Sequence, residues 1–491
     1  MSVHWPIIRR LAANARKIAV TDDRRDYRGV ELLVASMNLA DAIETRSATK
    51  NVGVMLPTSG AFPIAALATW MLGRTLVPLN YLLRPDELQY VVDDCETDII
   101  LTAGPMLEHL GAAPRVKHLV KLEDLALGGL PAPRWPRGGA DDDLAVILYT
   151  SGTSGKPKGV MLSHGNLSAN IRQVFEWVQF SRSDMFLGVL PQFHSFGLTV
   201  LTLLPLSAGL RVVYTARFTP TKIVDLFRKH RPTFFVAIPS MYNAMLQVKS
   251  AKPEDFASLK YAVSGGEPLP DDVADRFRDR FGVTIAEGYG MTETAPVTNW
   301  CRPEEYKPHS VGRALPGIIE QIIDPETGRQ LPPGVDGELR IKGPNVMKGY
   351  FKLPQETAAT FDERGFLRTG DMARFDAEGH LSITGRIKEM LIVGGENVFP
   401  REIEEVINQH PCIHASAVIG EVDPIRGEVP LAFVEIAEGA TYDERGVLGI
   451  CREKLAGYKV PRRIEVLDAL PRNATGKILR RALKERIADQ A

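Results

Sequence analysis

A loop rich in glycine, hydroxyl and lysine side chains is the clearest chemical feature of the sequence, reading YTSGTSGKPKGV at 149–160. Its glycines allow close backbone approach to an anion, and its amides and hydroxyls can donate to phosphate oxygens. Lys156 and Lys158 add positive charge. The spacing of a Walker A loop is not met, because Pro157 follows Lys156. Composition alone leaves two alternatives, a phosphate-binding loop and an ordinary surface loop.

Six further segments carry residues compatible with nucleotide chemistry. They are PQFHSFG at 191–197, SGGEPL at 264–269, EGYGMTET at 287–294, RTGD at 368–371, GRIKE at 385–389 with GGEN at 394–397, and PRNATGK at 471–477. With the loop at 149–160, they resemble the motifs of the adenylate-forming superfamily, which includes AMP-forming acyl-CoA synthetases, peptide-synthetase adenylation domains and firefly-type luciferases. Each motif alone is weak to moderate evidence, whereas their order extends the resemblance over nearly the whole chain.

The resemblance implies a two-step activation of a carboxylic acid. A carboxylate is a poor electrophile, because its negative charge repels nucleophiles. Its attack on the α-phosphorus of ATP releases pyrophosphate and gives an acyl-adenylate, from which the thiol of coenzyme A displaces AMP. Both steps need charge stabilisation and positioning more than covalent chemistry by the protein. The implied cofactors are ATP, Mg²⁺ and coenzyme A.

The resemblance also assigns a nucleotide site. The implied ATP- or AMP-binding residues are Thr150, Ser151, Gly152, Thr153, Ser154, Gly155, Lys156, Lys158, Gly265, Gly266, Glu267, Glu287, Gly288, Tyr289, Gly290, Asp371 and Arg386. The face of Tyr289 suits stacking on adenine, and the carboxylate of Asp371 can accept both ribose hydroxyls. Arg386 is implied on the ribose or phosphate side. Each could instead be a turn residue.

Four residues are predicted to serve catalysis: Lys477, Thr292, Glu293 and His194. The ammonium of Lys477 suits the oxyanion that develops during adenylation, although a lysine near a chain end is ordinarily a solvated charge. By resemblance, Glu293 binds Mg²⁺ and Thr292 contacts phosphate. A solvated surface carboxylate is the alternative for Glu293. His194 is implied to be an aromatic gate rather than a general base, with a buried core histidine as the alternative.

Apolar residues in and beside these motifs predict a pocket for the acid. The predicted lining is His194, Phe196, Val200, Ser240, Met241 and Met291. An amino-acid substrate would need a buried acidic partner and malonate a cation, and this set contains neither. The pattern favours a medium- or long-chain fatty acid, with aryl acids next.

Lys388 falls at the superfamily's hinge position, and Gly394, Gly395 and Glu396 are implied to line the tunnel for the pantetheine arm of coenzyme A. The resemblance implies that the small domain rotates there, exchanging the adenylation lysine for a thioester-forming face. Many relatives carry Asp at the hinge, and a plain loop lysine is the alternative for Lys388.

The positions of the apolar runs predict an α/β fold. Buried strands are expected at 52–56, 98–102, 144–149, 233–238 and 261–264, and a helix at 62–72. After about residue 310, dense turn signals and the alternating segment 337–343 predict antiparallel β structure. We predict a large N-terminal adenylate-forming domain at 1–387, with layered α/β subdomains and a β-barrel-like segment. A small mobile α+β C-terminal domain at 388–491 follows it.

Composition bounds the remaining functions. The 491 residues, 44% of them hydrophobic, exceed one core, and the 59 basic and 60 acidic side chains give no support for a nucleic-acid partner. The four cysteines form no CxxC pair, which is typical of reduced thiols. No stretch approaches the roughly 20 apolar residues of a membrane helix. We expect a cytoplasmic protein whose partners are a small carboxylic acid, ATP and coenzyme A; a homodimer stays open.

Three other functions stay open at this point. The chain could load an acyl carrier protein instead of free coenzyme A, or act as a luciferase-like oxygenase. It could also be a non-catalytic nucleotide-binding protein, although the intact Glu293, Asp371, Arg386 and Lys477 argue against that.

Overall fold

The computed structural model describes residues 2–150, 156–423, 427–472 and 478–488, and two large sheets dominate these ranges. The strands of the nine-stranded sheet are, in spatial order, Arg313–Ala314, Val297–Trp300, Ile285–Gly290, Tyr261–Ser264, Phe234–Ala237, Met185–Gly188, Arg211–Tyr214, Ile18–Thr21 and Asp26–Arg28. Those of the seven-stranded sheet are Gly349–Tyr350, Lys158–Ser163, Leu144–Thr150, Thr75–Pro78, Asn51–Val54, Ile99–Thr102 and His118–Lys121. The strands predicted from apolar runs are confirmed.

Helices between the strands bury these sheets, whose central strands are parallel and rich in Val, Ile and Phe. The α-helices before residue 388 are His4–Ala13, Gly29–Glu44, Ala61–Met71, Pro85–Asp94, Gly104–Leu110, His164–Trp177, Ser195–Leu198, Leu204–Ala208, Pro220–His230, Pro239–Leu246, Asp271–Phe281 and Pro354–Thr360. Short 3-10 turns lie at Leu122–Asp124, Pro253–Phe256, Thr292–Thr294, Pro303–Glu305 and Ile387–Glu389. Ser163 begins one helix through a capping box with Asn166.

The apolar tract after residue 197 is helical and buried. A π-helical turn, Thr199–Leu203, joins the helices Ser195–Leu198 and Leu204–Ala208. The wider turn is a common feature of helices beside functional sites, and it contains Val200.

The β-rich segment predicted after residue 310 forms a four-stranded antiparallel sheet. Its strands are Ile319–Ile323, Gly337–Lys342, Leu367–Phe375 and Leu381–Arg386. In the last pair, Asp371 lies opposite Arg386. This register brings two predicted site residues together on neighbouring strands.

The C-terminal part is α+β, as predicted. Its strands are Leu391–Val393, Glu396–Val398, Ile413–Asp423, Gly427–Ile436 and Arg463–Val466, with helices Pro400–Ile407, Glu444–Lys454 and Arg480–Ala488. Among the described residues, its two buried apolar clusters contain only residues from 391 onward, whereas the clusters of the large sheets end before 382. This separation supports the predicted division near residue 387, which stays a prediction.

No helix in the part of the chain that the structure describes is both long and apolar enough to cross a bilayer. Cys95, Cys301, Cys412 and Cys451 are buried and unbridged. Burial raises the pKa of the Cys95 thiol to about 12 and that of Cys451 to about 11.

Candidate active site

A cavity of about 1700 Å³ opens where the carboxyl ends of the parallel strands release their loops. Most of the predicted site residues line it. They are Thr150, Lys158, His194, Phe196, Val200, Ser240, Met241, Gly265, Gly266, Glu267, Gly288, Tyr289, Gly290, Met291, Thr292, Glu293, Asp371, Arg386 and Lys388. Motifs up to about 240 positions apart in the sequence, from Thr150 to Lys388, therefore converge on one space.

The other predicted site residues fall into two groups. Lys156, Glu287, Gly394, Gly395 and Glu396 lie outside the lining of this cavity. Ser151, Gly152, Thr153, Ser154, Gly155 and Lys477 lie outside the described residues. For Glu287 the reason is local, because its carboxylate accepts the backbone N–H of Leu269 at 3.2 Å.

Asp371 is the centre of one polar group on the cavity wall. The hydroxyl of Tyr289 donates to its Oδ2 at 2.5 Å, and Arg386 Nε lies 2.8 Å from its Oδ1. Burial, followed by the charge of Asp371, raises the pKa of Tyr289 well above its ordinary value. Tyr289 therefore stays a proton donor, which fixes its ring and leaves Asp371 as an acceptor towards the cavity.

Glycine residues border this polar group. A Cβ on Gly290 would lie 1.9 Å from the carbonyl oxygen of Pro296, and one on Gly265 would lie 3.1 Å from the Phe196 ring. Gly266 has a φ of 84°, in the left-handed region that favours glycine. Any larger residue at 290 would displace the main chain at Pro296, so glycine is required there beside Asp371 and Tyr289.

Tyr350 contacts both Glu293 and Lys158 on a second polar wall of the cavity. The hydroxyl of Tyr350 donates to Glu293 Oε1 at 2.9 Å, and Lys158 Nζ stands 5.4 Å from the centre of its ring. Burial raises the pKa of Glu293, an effect that the hydrogen bond from Tyr350 opposes. The neighbouring hydroxyl of Thr292 lies 3.2 Å from that of Ser195. A carboxylate oxygen, hydroxyls and an ammonium together suit a phosphate-bound divalent cation.

His194 is exposed on the cavity wall, so the alternative of a buried core histidine is wrong. Its Nδ1 accepts the backbone N–H of Phe196 at 3.3 Å. This contact holds the imidazole ring on the cavity wall.

Many of the side chains that line the cavity are apolar. They include Val189, Phe196, Val200, Val236, Ile238, Met241 and Ala244. The predicted set contains no cation, but Arg217, outside that set, also lines the cavity. Its exposed guanidinium has no ion pair or hydrogen bond with any described residue.

Sequence reasoning missed Arg217 and Tyr350. Arg217 follows the strand Arg211–Tyr214 at its carboxyl end, a position that could have drawn attention to it. Tyr350 belongs to a two-residue strand with no chemical signature, and only the pairing of distant segments places it beside Glu293.

Contacts across residue 387 join the C-terminal part to this wall. Arg401 donates to the carbonyl oxygen of Ile383, and the ring of Phe399 packs over Gly385. Within the C-terminal part itself, Arg480 Nη2 lies 2.7 Å from both carboxylate oxygens of Glu404, and its Nη1 lies 3.2 Å from Glu389. Gly394 and Gly395 form an exposed turn with φ values of 61° and 91°.

A separate group, Asp376, Glu378 and His380, has the spacing of cation ligands. Lys307 already lies there, with its Nζ 2.5 Å from Asp376 and 3.3 Å from Glu378. The ammonium supplies the positive charge, and we assign no metal to this group.

Comparison with known proteins identifies the family. The family model of the AMP-binding enzyme matches residues 8–351, and that of the AMP-binding enzyme C-terminal domain matches residues 402–477. The long-chain-fatty-acid–CoA ligase of Bacillus subtilis (strain 168) is 32% identical, covering 93% of this chain and 89% of its own. Feruloyl-CoA synthase of Amycolatopsis sp is 32% identical over 98% of both chains. The ATP-bound structure of MatB from Rhodopseudomonas palustris matches with a TM-score of 0.88 and 34% identity, covering 100% of this chain and 99% of that one. The chain therefore belongs to the AMP-binding enzyme family, within the adenylate-forming superfamily of AMP-forming acyl-CoA synthetases.

Proposed function

We propose that the protein activates a fatty acid of medium or long chain with ATP and transfers the acyl group to coenzyme A. One observation carries this proposal: a single cavity joins the polar walls at Asp371 and Glu293 to an apolar wall that includes Val200 and Met241. An acyl chain and a nucleotide placed on these walls would meet beside His194.

In the first half-reaction, the protein would position the acid carboxylate for attack on the α-phosphorus, with pyrophosphate as the leaving group. Asp371 would accept the ribose hydroxyls, and Tyr289, held by its hydrogen bond to Asp371, would present its ring to adenine. Lys158 would lie towards the phosphates. Such fixed charges act mainly by holding the reactants in line and by stabilising the developing negative charge.

Glu293 would hold Mg²⁺, which supplies Lewis-acid stabilisation of the phosphate charge when bound. The donor set fits this ion, because Glu293 Oε1 accepts the hydroxyl of Tyr350 and its Oε2 accepts no hydrogen bond from another described residue. A hard oxygen ligand facing phosphate oxygens is the usual protein contribution to a magnesium site.

Lys477 is the proposed donor to the developing oxyanion, on the basis of its motif alone. We expect Lys477→Ala to lower adenylation far more than thioester formation from supplied acyl-adenylate. Pyrophosphate exchange and thioester release measure the two half-reactions separately, and an equal loss in both would contradict the role.

The remaining assignments are proposals from the sequence. We propose a cytoplasmic location, a division into residues 1–387 and 388–491, and rotation of the smaller part about Lys388 between the half-reactions. The pantetheine tunnel would pass Gly394, Gly395 and Glu396 after that rotation, since they lie outside the cavity in the present arrangement. Homodimer formation is a further proposal, which light scattering would test.

The test of the function is ATP–pyrophosphate exchange over a panel of straight-chain, aryl and dicarboxylic acids, followed by AMP release with coenzyme A or an acyl carrier protein. Straight-chain acids and coenzyme A should give the highest kcat/KM. Higher values with benzoates would shift the substrate to aryl acids, and a preference for the carrier protein would change the acceptor. Absence of exchange with every acid would refute the function itself.

A second candidate substrate is an aryl acid with a distal hydroxyl group. Arg217 favours it, because its guanidinium, which has no partner among the described residues, could donate hydrogen bonds to the oxygen of such a group. Feruloyl-CoA synthase, whose name includes a phenolic acid, matches 98% of this chain. Arg217→Met should then lower kcat/KM for ferulate about tenfold and leave that for a straight-chain acid unchanged.

A further inference from the structure

Tyrosine rings lie beneath both lysines of the segment 156–158. Lys156 Nζ stands 5.3 Å from the centre of the Tyr90 ring, and Lys158 Nζ stands 5.4 Å from that of Tyr350. Both distances are within the range of cation–π attraction. The two tyrosines differ in their hydroxyls, because that of Tyr350 donates to Glu293 whereas that of Tyr90 has no hydrogen-bonding partner among the described residues.

The backbone fixes Tyr350 on both sides. Its strand pairs antiparallel with the strand that begins at Lys158, so that Tyr350 lies opposite Val160. Phe351 N–H donates to the carbonyl oxygen of Gly159 at 2.7 Å, and Tyr350 N–H donates to the hydroxyl of Thr357 at 2.9 Å. The ring therefore has little freedom to move away from the residues that follow the phosphate loop.

The backbone of Glu293 is tied to the same segment. Its carbonyl oxygen accepts the N–H of Met347 at 2.8 Å, three residues before Tyr350. Two contacts, one to the main chain and one to the carboxylate, thus connect Glu293 to residues 347–350. This segment bridges Lys158, which begins a strand of the seven-stranded sheet, and Glu293, which lies in the 3-10 turn Thr292–Thr294.

We infer that Tyr350 is a positioning residue for the metal–triphosphate site: its hydroxyl holds Glu293 Oε1 so that Oε2 faces the cation, while its ring holds Lys158. This inference rests on the proposed function, in which Glu293 binds Mg²⁺. A hydrogen bond to one oxygen of a ligating carboxylate sets the direction of the other and removes competing rotamers. The position of a metal ligand and that of a phosphate-binding cation would then depend on one side chain.

Tyr350→Phe separates the two parts of this role, because it removes the hydroxyl and keeps the ring under Lys158. Calorimetry would measure ATP binding to the full chain with excess Mg²⁺ and again with EDTA. The dissociation constant in EDTA divided by that in Mg²⁺, here called the metal ratio, reports how much the metal strengthens ATP binding. We expect this ratio to fall about tenfold in Tyr350→Phe relative to the unsubstituted protein, with little change in EDTA.

Tyr90→Phe is the matched control, because it removes a hydroxyl from the other tyrosine under a loop lysine. Its metal ratio should equal that of the unsubstituted protein. Tyr350→Leu removes the ring as well, and it should also weaken ATP binding in EDTA by loss of the contact with Lys158.

A double substitution tests whether Tyr350 acts through Glu293. Glu293→Gln alone should lower the metal ratio, and adding Tyr350→Phe should lower it no further. Additive losses would overturn the inference, as would an unchanged ratio in Tyr350→Phe or an equal fall in Tyr90→Phe. Near-equal melting temperatures of Tyr350→Phe and Tyr90→Phe would show that both are folded.

The binding measurement also separates this inference from the proposed function. If the unsubstituted protein shows no pyrophosphate exchange with any acid, the function fails, yet the metal ratios still test Tyr350. If exchange is present and the ratio does not respond to Tyr350→Phe, only the role of Tyr350 fails.

Discussion

Substitution of Ala244 by a larger residue should restrict the protein to acids of shorter chain length. Ala244 lies on the cavity wall one helical turn beyond Ser240, on the helix Pro239–Leu246. Residues four apart share a helix face, and the helix leads away from the strand end at Ala237. Ala244→Leu would therefore fill the part of the cavity that is farther from the nucleotide walls.

The size of the effect follows from the volume that is filled. Leucine adds about three methylene-sized groups, and each methylene of the substrate that loses its buried place costs about 0.8 kcal/mol. The loss for a long acid is therefore about 2.4 kcal/mol, or about 60-fold in kcat/KM. Acids too short to reach Ala244 lose no contact, so their kcat/KM should stay unchanged.

The assay is pyrophosphate release over straight-chain acids from butanoate to palmitate. Gln247→Leu is the control, because Gln247 is exposed at the end of the same helix and does not line the cavity. A uniform fall over all chain lengths would refute the reasoning, since it would mean that Ala244 affects the reaction and not the space for the chain. So would an unchanged profile.

The other predictions concern the ribose side and acid stability. Asp371→Asn should weaken ATP binding by ~2 kcal/mol, about 30-fold, because a charged acceptor is lost. Asp336→Asn should leave ATP binding unchanged, because Asp336 is paired with Arg374 outside the cavity lining. Calorimetry would measure both dissociation constants, and equal values would contradict the assignment of Asp371. Burial lowers the pKa of His4 and of His164 to about 4. The unfolded chain therefore binds more protons than the folded chain between about pH 4 and 6.5, so the free energy of unfolding falls as the pH falls through this range. The loss is up to about 3 kcal/mol for each ring. The melting temperature should depend less steeply on pH between about 4 and 6.5 in His4→Leu, but not in the exposed control His414→Leu. An unchanged pH dependence in His4→Leu would refute the assigned role of the buried ring.

The strands of the parallel sheets were predictable because each is a short apolar run that ends at a glycine or proline loop. Tyr261–Ser264 before Gly265 is one example. Parallel strands are buried on both faces, so their sequences contain few polar residues that could obscure the pattern. The motifs on the loops after these strands predicted residues that share one site, and the cavity contains most of them, whereas their role as nucleotide ligands stays a prediction.

Contacts between distant segments were not predictable in the same way. Tyr350 reaches Glu293 across 57 sequence positions, through a two-residue strand that no local pattern indicates. Arg217 was not predicted because it belongs to no motif, whereas the cavity is also lined by the loops between the motifs. Glu287 belongs to a motif, yet its carboxylate turns to the N–H of Leu269, a local competition that the motif does not encode.

The separation of the buried apolar clusters has a consequence for how the molecule fails. Because no described apolar side chain belongs to both sets, opening the smaller set, which is built from residues after 390, leaves the packing within the larger set in place, although it breaks contacts such as those of Phe399 with Gly385 and of Arg401 with Ile383. Such units exchange their amide hydrogens in separate events with different free energies. Damage that melts only the smaller unit would leave a protein that still retains nucleotide but stalls before turnover.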